Sequence, residues 1–329
     1  MQTHILSNPL TNPLAGPVAI MLSILFVIAA LALEAAHLWR QALASLGVGT
    51  DLASLSGKVL WQRYFTWALI APLFVGAVLS GPLAVAVLCA FLCWQGGREY
   101  ATLTGMPRRH CAALMLGSWS TLASVVLIGQ PALVLAPVLA FFGWSLLALQ
   151  PIEGEPAVGR RFAAALAGLW GSLYIGWLPA YLVLLSASSV QGVVLVVGLG
   201  VALSDVGAFC SGKALGGPEL APMLSPNKTW GGVLGNILGA ALAVTLAGFA
   251  IPTLALWQRG SLALAIGIGS LWGDLLESLL KRQSGVKDAG GMLPGFGGLL
   301  DRIDSLLIAA PLVYALTLLF VSYSGEQKY

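Results

Sequence analysis

The chain has 329 residues, of which 58% are hydrophobic and only 9% charged, against roughly 25% charged in an ordinary soluble domain. So few polar side chains cannot cover a soluble core, and a net charge of +3 is too mild to imply a nucleic-acid partner. A soluble globular enzyme, a disordered chain and a DNA-binding domain are excluded, and an all-α polytopic membrane protein is expected.

The amino terminus has no basic stretch ahead of its first apolar run, so that run reads as a retained span rather than a cleaved signal peptide. With about 20 residues needed per crossing, spans are predicted near 16–35, 65–80, 82–96, 112–128, 131–149, 162–186, 189–207, 231–251, 261–279 and 304–322. This amounts to about 9–10 transmembrane helices. The breaks at Ser80-Gly81-Pro82 and Gly129-Gln130-Pro131 read as helical hairpins, with a single broken helix as the alternative in each case. Cys89, Cys93, Cys111 and Cys210 have no zinc-ligand spacing and are expected as small hydrophobes. Two parts are expected: N-terminal transmembrane helices over 1–160 and a catalytic transmembrane domain over 161–329.

The basic residues fall in alternate connections. Arg40, Lys58 and Arg63 are followed by Arg98, Arg108 and Arg109. Arg160 and Arg161 come next, then Lys213 and Lys228, and finally Lys281, Arg282, Lys287 and Arg302. Only Arg259 and Lys328 fall on the opposite side. Cytoplasmic loops carry such an excess, so both termini are predicted outside and the charged loops in the cytoplasm. The pairs Arg108-Arg109 and Arg160-Arg161 read as topology anchors beside lipid headgroups.

Residues 274–304 hold nine of the 29 formal charges. Asp274, Glu277 and Lys281 share one helix face, and Asp301 and Asp304 straddle Arg302 at the start of the last span. The Gly-rich link between them, 290–298, lets backbone amides approach a ligand closely. Carboxylates suit a hard cation such as Mg²⁺, and Lys and Arg suit phosphate oxygens. The combination fits phosphoryl or nucleotidyl transfer; the alternative is a charged loop with intrahelical ion pairs. Upstream, Asp205 lies at the end of a span. Ser225, Lys228 and Thr229 ahead of Gly231-Gly232 could bind phosphate at a helix N-terminus, unless Ser225 is simply an N-cap before Pro226.

The run Ser278-Leu279-Leu280-Lys281-Arg282, then Lys287-Asp288, then Pro294-Gly295-Phe296-Gly297-Gly298-Leu299-Leu300-Asp301-Arg302-Ile303-Asp304-Ser305 resembles the signature of the CDP-diacylglycerol synthases (phosphatidate cytidylyltransferases). Ser204-Asp205 ahead of Gly207-Ala208, Ser225-Pro226 with Lys228-Thr229-Trp230, Gly273-Asp274 with Glu277-Ser278, Tyr174-Ile175-Gly176 and Leu178-Pro179 resemble the same family. The resemblance covers roughly 160–305 and implies a divergent bacterial paralogue of the cytoplasmic (inner) membrane. The implied reaction converts CTP and phosphatidate to CDP-diacylglycerol and pyrophosphate with Mg²⁺, at the cytoplasmic ends of the C-terminal helices, and the resemblance also implies a homodimer. Asp274, Asp301 and Asp304 are the implied metal ligands and, with Lys281 and Arg302, the catalytic set. Ser225, Lys228, Thr229, Arg282, Lys287, Asp288 and Asp205 are the implied substrate-binding residues. No histidine is needed, and His4, His37 and His110 read as headgroup-level or loop residues.

Three positions depart from the family pattern. Phe296 stands where a His is usual, Asn227 where a Lys is usual, and Gly231 where a Glu is usual. Competing readings are a CTP-dependent polyprenol or phytol kinase, a catalytically impaired scaffold, and an ion-coupled transporter. The Lys-Arg, Lys-Asp and Asp-Arg-x-Asp pattern favours the synthase. Acids at one end of the helices beside Lys and Arg, rather than spread through mid-membrane, count against a transporter.

Overall fold

A computed structural model describes residues 6–45, 57–150, 158–188, 192–286, 289–293 and 297–326. The helices are α1 (Ala15–Ser45), α2 (Gly57–Ser80), α3 (Pro82–Leu103), α4 (Arg108–Ile128), α5 (Gln130–Leu149), α6 (Val158–Gly171), α7 (Leu178–Ala187), α8 (Val193–Leu215), α9 (Trp230–Leu246), α10 (Leu256–Gln283) and α11 (Leu300–Glu326). A π-helical turn, Ser172–Trp177, joins α6 to α7, so the three pieces form one long apolar helix, Arg161–Ala187. All ten expected spans are helices. Among the described residues, eight are long and apolar enough to cross a membrane. The other two are α3, whose last third holds Arg98 and Glu99, and the 17-residue α9.

The two Gly-Pro breaks are hairpins. Gly81 turns at φ 104° and Gly129 at φ 79°, a region an L-residue with a Cβ rarely enters, and α2 packs back on α3 as α4 does on α5. The π turn has a local cause in Pro179, which has no N–H to offer the carbonyl of Ile175, four residues earlier. That carbonyl instead accepts from the Cys93 thiol of α3 at 2.9 Å, and the Pro179 carbonyl from Cys89 at 3.6 Å. Of the four cysteines expected to be buried, these two are, whereas Cys111 is half-buried and Cys210 exposed; Cys93 also serves a carbonyl that proline leaves short of a donor.

Small residues set the helix crossings around the site. A Cβ added at Gly207 of α8 would strike the Gly235 carbonyl of α9, and one at Gly239 would strike the Leu203 carbonyl. The spacing of Gly235 and Gly239 is the small-xxx-small pattern that lets membrane helices approach closely. Likewise a Cβ at Gly273 of α10 would meet Asp304 O and Ser305 Cα of α11. The residue after Gly273 is Asp274, so this contact brings Asp274 and Asp304 together.

Between α8 and α9 lies an element absent from the sequence reading, an antiparallel pair β1 (Glu219–Ala221) and β2 (Ser225–Thr229). Thr229 pairs with Glu219 and Ser225 with Ala221. With only 3 and 5 residues and little hydrophobic alternation, the strands carry no periodic signal to read.

Candidate active site

The ends of α8, α10 and α11 and the start of α9 enclose a cavity of about 310 Å³. Asp205, Lys228, Thr229, Asp274, Lys281, Asp301, Arg302 and Asp304 all line it, so the structure gathers eight of the expected site residues. Ser225 and Arg282 do not line it. The Arg282 Nε donates to the Leu224 carbonyl at 3.2 Å and so ties α10 to the β-hairpin. Lys287, Asp288 and Phe296 lie outside the described residues.

Asp274, Glu277 and Asp304 each offer a carboxylate oxygen within 4.8 Å of the others. Asp301, expected in this triple, stands outside it. Its Oδ1 accepts from Lys281 Nζ at 2.7 Å, and its Oδ2 from the backbone N–H groups of Gly298 and Ala289 at 2.9 and 3.1 Å. Glu277 is the third acid instead. The three-residue spacing from Asp274 to Glu277 was legible, but only the folded helices show that Glu277 turns toward Asp304. Glu277 also pairs with Lys281 one turn on, so an intrahelical ion pair is part of the site as well.

The charges balance only in part, with five acids and three cations among the described residues that line the cavity. Lys281 sits between Glu277 and Asp301, all three largely buried, and Lys228 Nζ reaches Asp274 Oδ2 at 2.6 Å. Asp304 Oδ1 accepts from Ser305 N at 2.7 Å, and Asp205 Oδ1 from Ser270 Oγ at 3.1 Å. Among the acids, Glu277 Oε1 is buried and has no hydrogen-bond partner among the described residues. A buried, unpaired carboxylate oxygen is costly. Three carboxylates gathered around one point, one of them with an unpaired buried oxygen, are what a hard divalent cation ligates, so the residues fit one.

Lys228 and Thr229 stand at the N-terminus of α9. The cap of that helix is Thr229, not Ser225: the Thr229 Oγ1 accepts from Gly232 N at 3.2 Å, while Ser225 opens β2. The Gly231 departure has a steric reason. A Cβ there would come within 2.5 Å of the Gly216 carbonyl, which accepts the Gly231 N–H at 3.0 Å, so no glutamate fits at this crossing. Asn227 lines the cavity. His110 is not a loop residue; it is buried on α4 with its ring stacked on Trp144, centroids 5.6 Å apart, and it does not line the cavity.

Glu99 was missed altogether. It lies just past the predicted span 82–96, and nothing local marks it. In the fold it is buried on α3 and accepts the backbone N–H groups of Leu299 and Leu300 at 3.0 and 2.8 Å. Only a contact between residues 200 positions apart reveals this, and the sequence holds no signal for it.

Residues 61–320 match the model of the cytidylyltransferase family. A phosphatidate cytidylyltransferase of Brucella melitensis is 44% identical over 168 residues, 49% of this chain and 59% of that protein. One from Pseudomonas aeruginosa is 36% identical over 271 residues, 78% of this chain and 97% of that protein. An Escherichia coli protein named uncharacterized protein YnbB is 31% identical over 301 residues, 84% and 97% of the two chains. The match thus spans somewhat over half the length of the Brucella relative and nearly all of the other two. With its apolar helices and its matched cavity segments, the chain is an integral membrane protein that belongs to the cytidylyltransferase family.

Proposed function

We propose that the chain is a membrane-embedded phosphatidate cytidylyltransferase, forming CDP-diacylglycerol and pyrophosphate from CTP and phosphatidate. The observation that carries this reading is the meeting of Asp274, Glu277 and Asp304 with Lys228, Lys281 and Arg302 in one cavity, in a chain of this family. Asp274, Glu277 and Asp304 would hold Mg²⁺, which when bound neutralises charge on the triphosphate.

The chain's own residues do the rest. Lys228 and Arg302 bind phosphate oxygens. Asp301 fixes Lys281 against the acids, so its ammonium offsets their charge from a set position. Asp205 and Asn227 line the same cavity and are assigned to the nucleotide. A phosphatidate oxygen attacks the α-phosphorus of CTP; that P–O bond forms, the α–β anhydride bond breaks, and pyrophosphate leaves with the electron pair. Held in line, the reactants need positioning and charge neutralisation more than acid–base chemistry.

The membrane is assigned as the bacterial inner membrane, with the cavity facing the cytoplasm. The support is the bias of Lys and Arg toward alternate connections, including those beside the cavity. The direct test uses purified protein in detergent with phosphatidate, Mg²⁺ and CTP labelled in the cytidine. Labelled CDP-diacylglycerol with equimolar pyrophosphate is expected. Labelled CDP released with a phosphorylated lipid would indicate a kinase, and no product from any phosphatidate would overturn the reading.

A further inference from the structure

We infer that Glu99, in the N-terminal part of the chain, is a positioning residue for the acid cluster. The inference rests on the cation site assigned above. The first N–H groups of a helix have no partner within it, and the preceding residue usually caps them with a Ser, Thr, Asp or Asn side chain. Before α11 come Gly297, Gly298 and Leu299, none of which can cap. The cap comes from α3 instead. Glu99 Oε2 accepts from Leu300 N at 2.8 Å, and Oε1 from Leu299 N at 3.0 Å and from Gln95 Nε2 at 2.8 Å. A buried carboxylate at the positive end of α11 is favourably placed.

The glycines of the linking segment make room for it. A Cβ at Gly290 would fall 2.9 Å from Glu99 Oε1, and one at Gly298 would fall 2.8 Å from Oε2 and 3.0 Å from Asp301 Oδ2. Two carboxylates therefore grip the same turn. Glu99 holds the start of α11 from outside, and Asp301 holds the Gly298 amide from within. The helix so fixed carries Asp301, Arg302 and Asp304 in its first two turns. A rotation or slip of that end would draw Asp304 away from Asp274 and Glu277, which belong to a different helix. Glu99 thus acts on the cluster through the backbone of α11 without touching the cavity.

Mn²⁺ binding to the purified full chain, followed by its electron spin resonance without nucleotide, tests this. Glu99→Gln keeps the shape but sets an amide donor against one of the two N–H groups; Glu99→Ala removes both acceptors. Both are expected to weaken Mn²⁺ binding by about 10- to 100-fold, the usual cost of losing a residue that orients metal ligands. Cytidylyl transfer at limiting Mg²⁺ should fall by a similar factor and recover as Mg²⁺ is raised, while the melting transition persists. Wild-type Mn²⁺ affinity in both variants would overturn the inference. So would a uniform loss of melting transition, metal binding and rate that extra metal does not rescue, because that marks a general contribution to folding. If the wild type binds Mn²⁺ but makes no product, the proposed function fails, and the effect of Glu99 on Mn²⁺ affinity still decides this inference.

Discussion

Glu277 Oε2 holds Lys281 while Oε1 faces the cavity with no donor; one carboxylate serves both the ion-pair lattice and the open acid cluster. Asp274 is the partly exposed member of the cluster, whereas Glu277 and Asp304 are buried. Removing Glu277 also leaves Lys281 with only Asp301. Glu277→Gln is therefore expected to lower Mn²⁺ affinity and, unlike Asp274→Asn, to lower the melting temperature as well, since breaking a buried ion pair costs about 3–5 kcal/mol. Differential scanning fluorimetry of the two variants checks this. The hydroxyl of Tyr174, in the π turn, is buried without a hydrogen-bond partner among the described residues. A buried unsatisfied group costs about 1–3 kcal/mol. Tyr174→Phe should therefore leave the melting temperature unchanged or raise it; a clear fall would mean that the hydroxyl has a partner, such as water. At this scale the sequence was most informative where charges cluster. Asp274, Lys281 and Asp304 were legible because charge is rare in an apolar chain. Asp301 lines the cavity but pairs with Lys281 instead of joining the acid triple, because which oxygen meets which cation depends on how α10 and α11 cross.

Among the elements, the crossings that matter are made by glycines. Gly207, Gly235 and Gly239 let α8 and α9 touch backbone to backbone, and Gly273 does the same for α10 and α11. Adding bulk at a tight crossing costs about 1–3 kcal/mol. Gly239→Val is expected to destabilise the protein by about that much, seen as a lower melting temperature. Gly273→Ala is expected to cost stability and also to part Asp274 from Asp304, weakening Mn²⁺ binding. A Gly273→Ala protein with wild-type Mn²⁺ affinity would show that the two helices can separate without moving the acids. Helices and their hairpin breaks were readable from apolar run length and Gly-Pro pairs. The β-hairpin that presents Lys228 and Thr229 was not, because its strands are too short to show a period, and with it the capping role of Thr229 stayed hidden.

For the molecule as a whole, large apolar side chains lie exposed along the outer helices, among them Ile20, Ile24 and Leu31 of α1, as expected where lipid rather than water is the neighbour. Charge is gathered where α8, α10 and α11 converge. The polytopic class followed from composition alone. What composition could not show is how the first helices take part in the site. Through Glu99 and through the cysteines that serve the π turn, α3 is built into the frame around α11, and no sequence pattern announces contacts made over 80 to 200 residues. The central claim is that Asp274, Glu277 and Asp304 form a cation site on which cytidylyl transfer depends. Its most direct measurement is the rate of CDP-diacylglycerol formation as Mg²⁺ is titrated, for the wild type and for Asp274→Ala and Asp304→Ala. Loss of a ligand that supports several kcal/mol of charge stabilisation, at about 1.4 kcal/mol per tenfold in rate, predicts a fall of about 100-fold or more in each variant. Variants that turn over CTP at the wild-type rate with the wild-type Mg²⁺ requirement would contradict it.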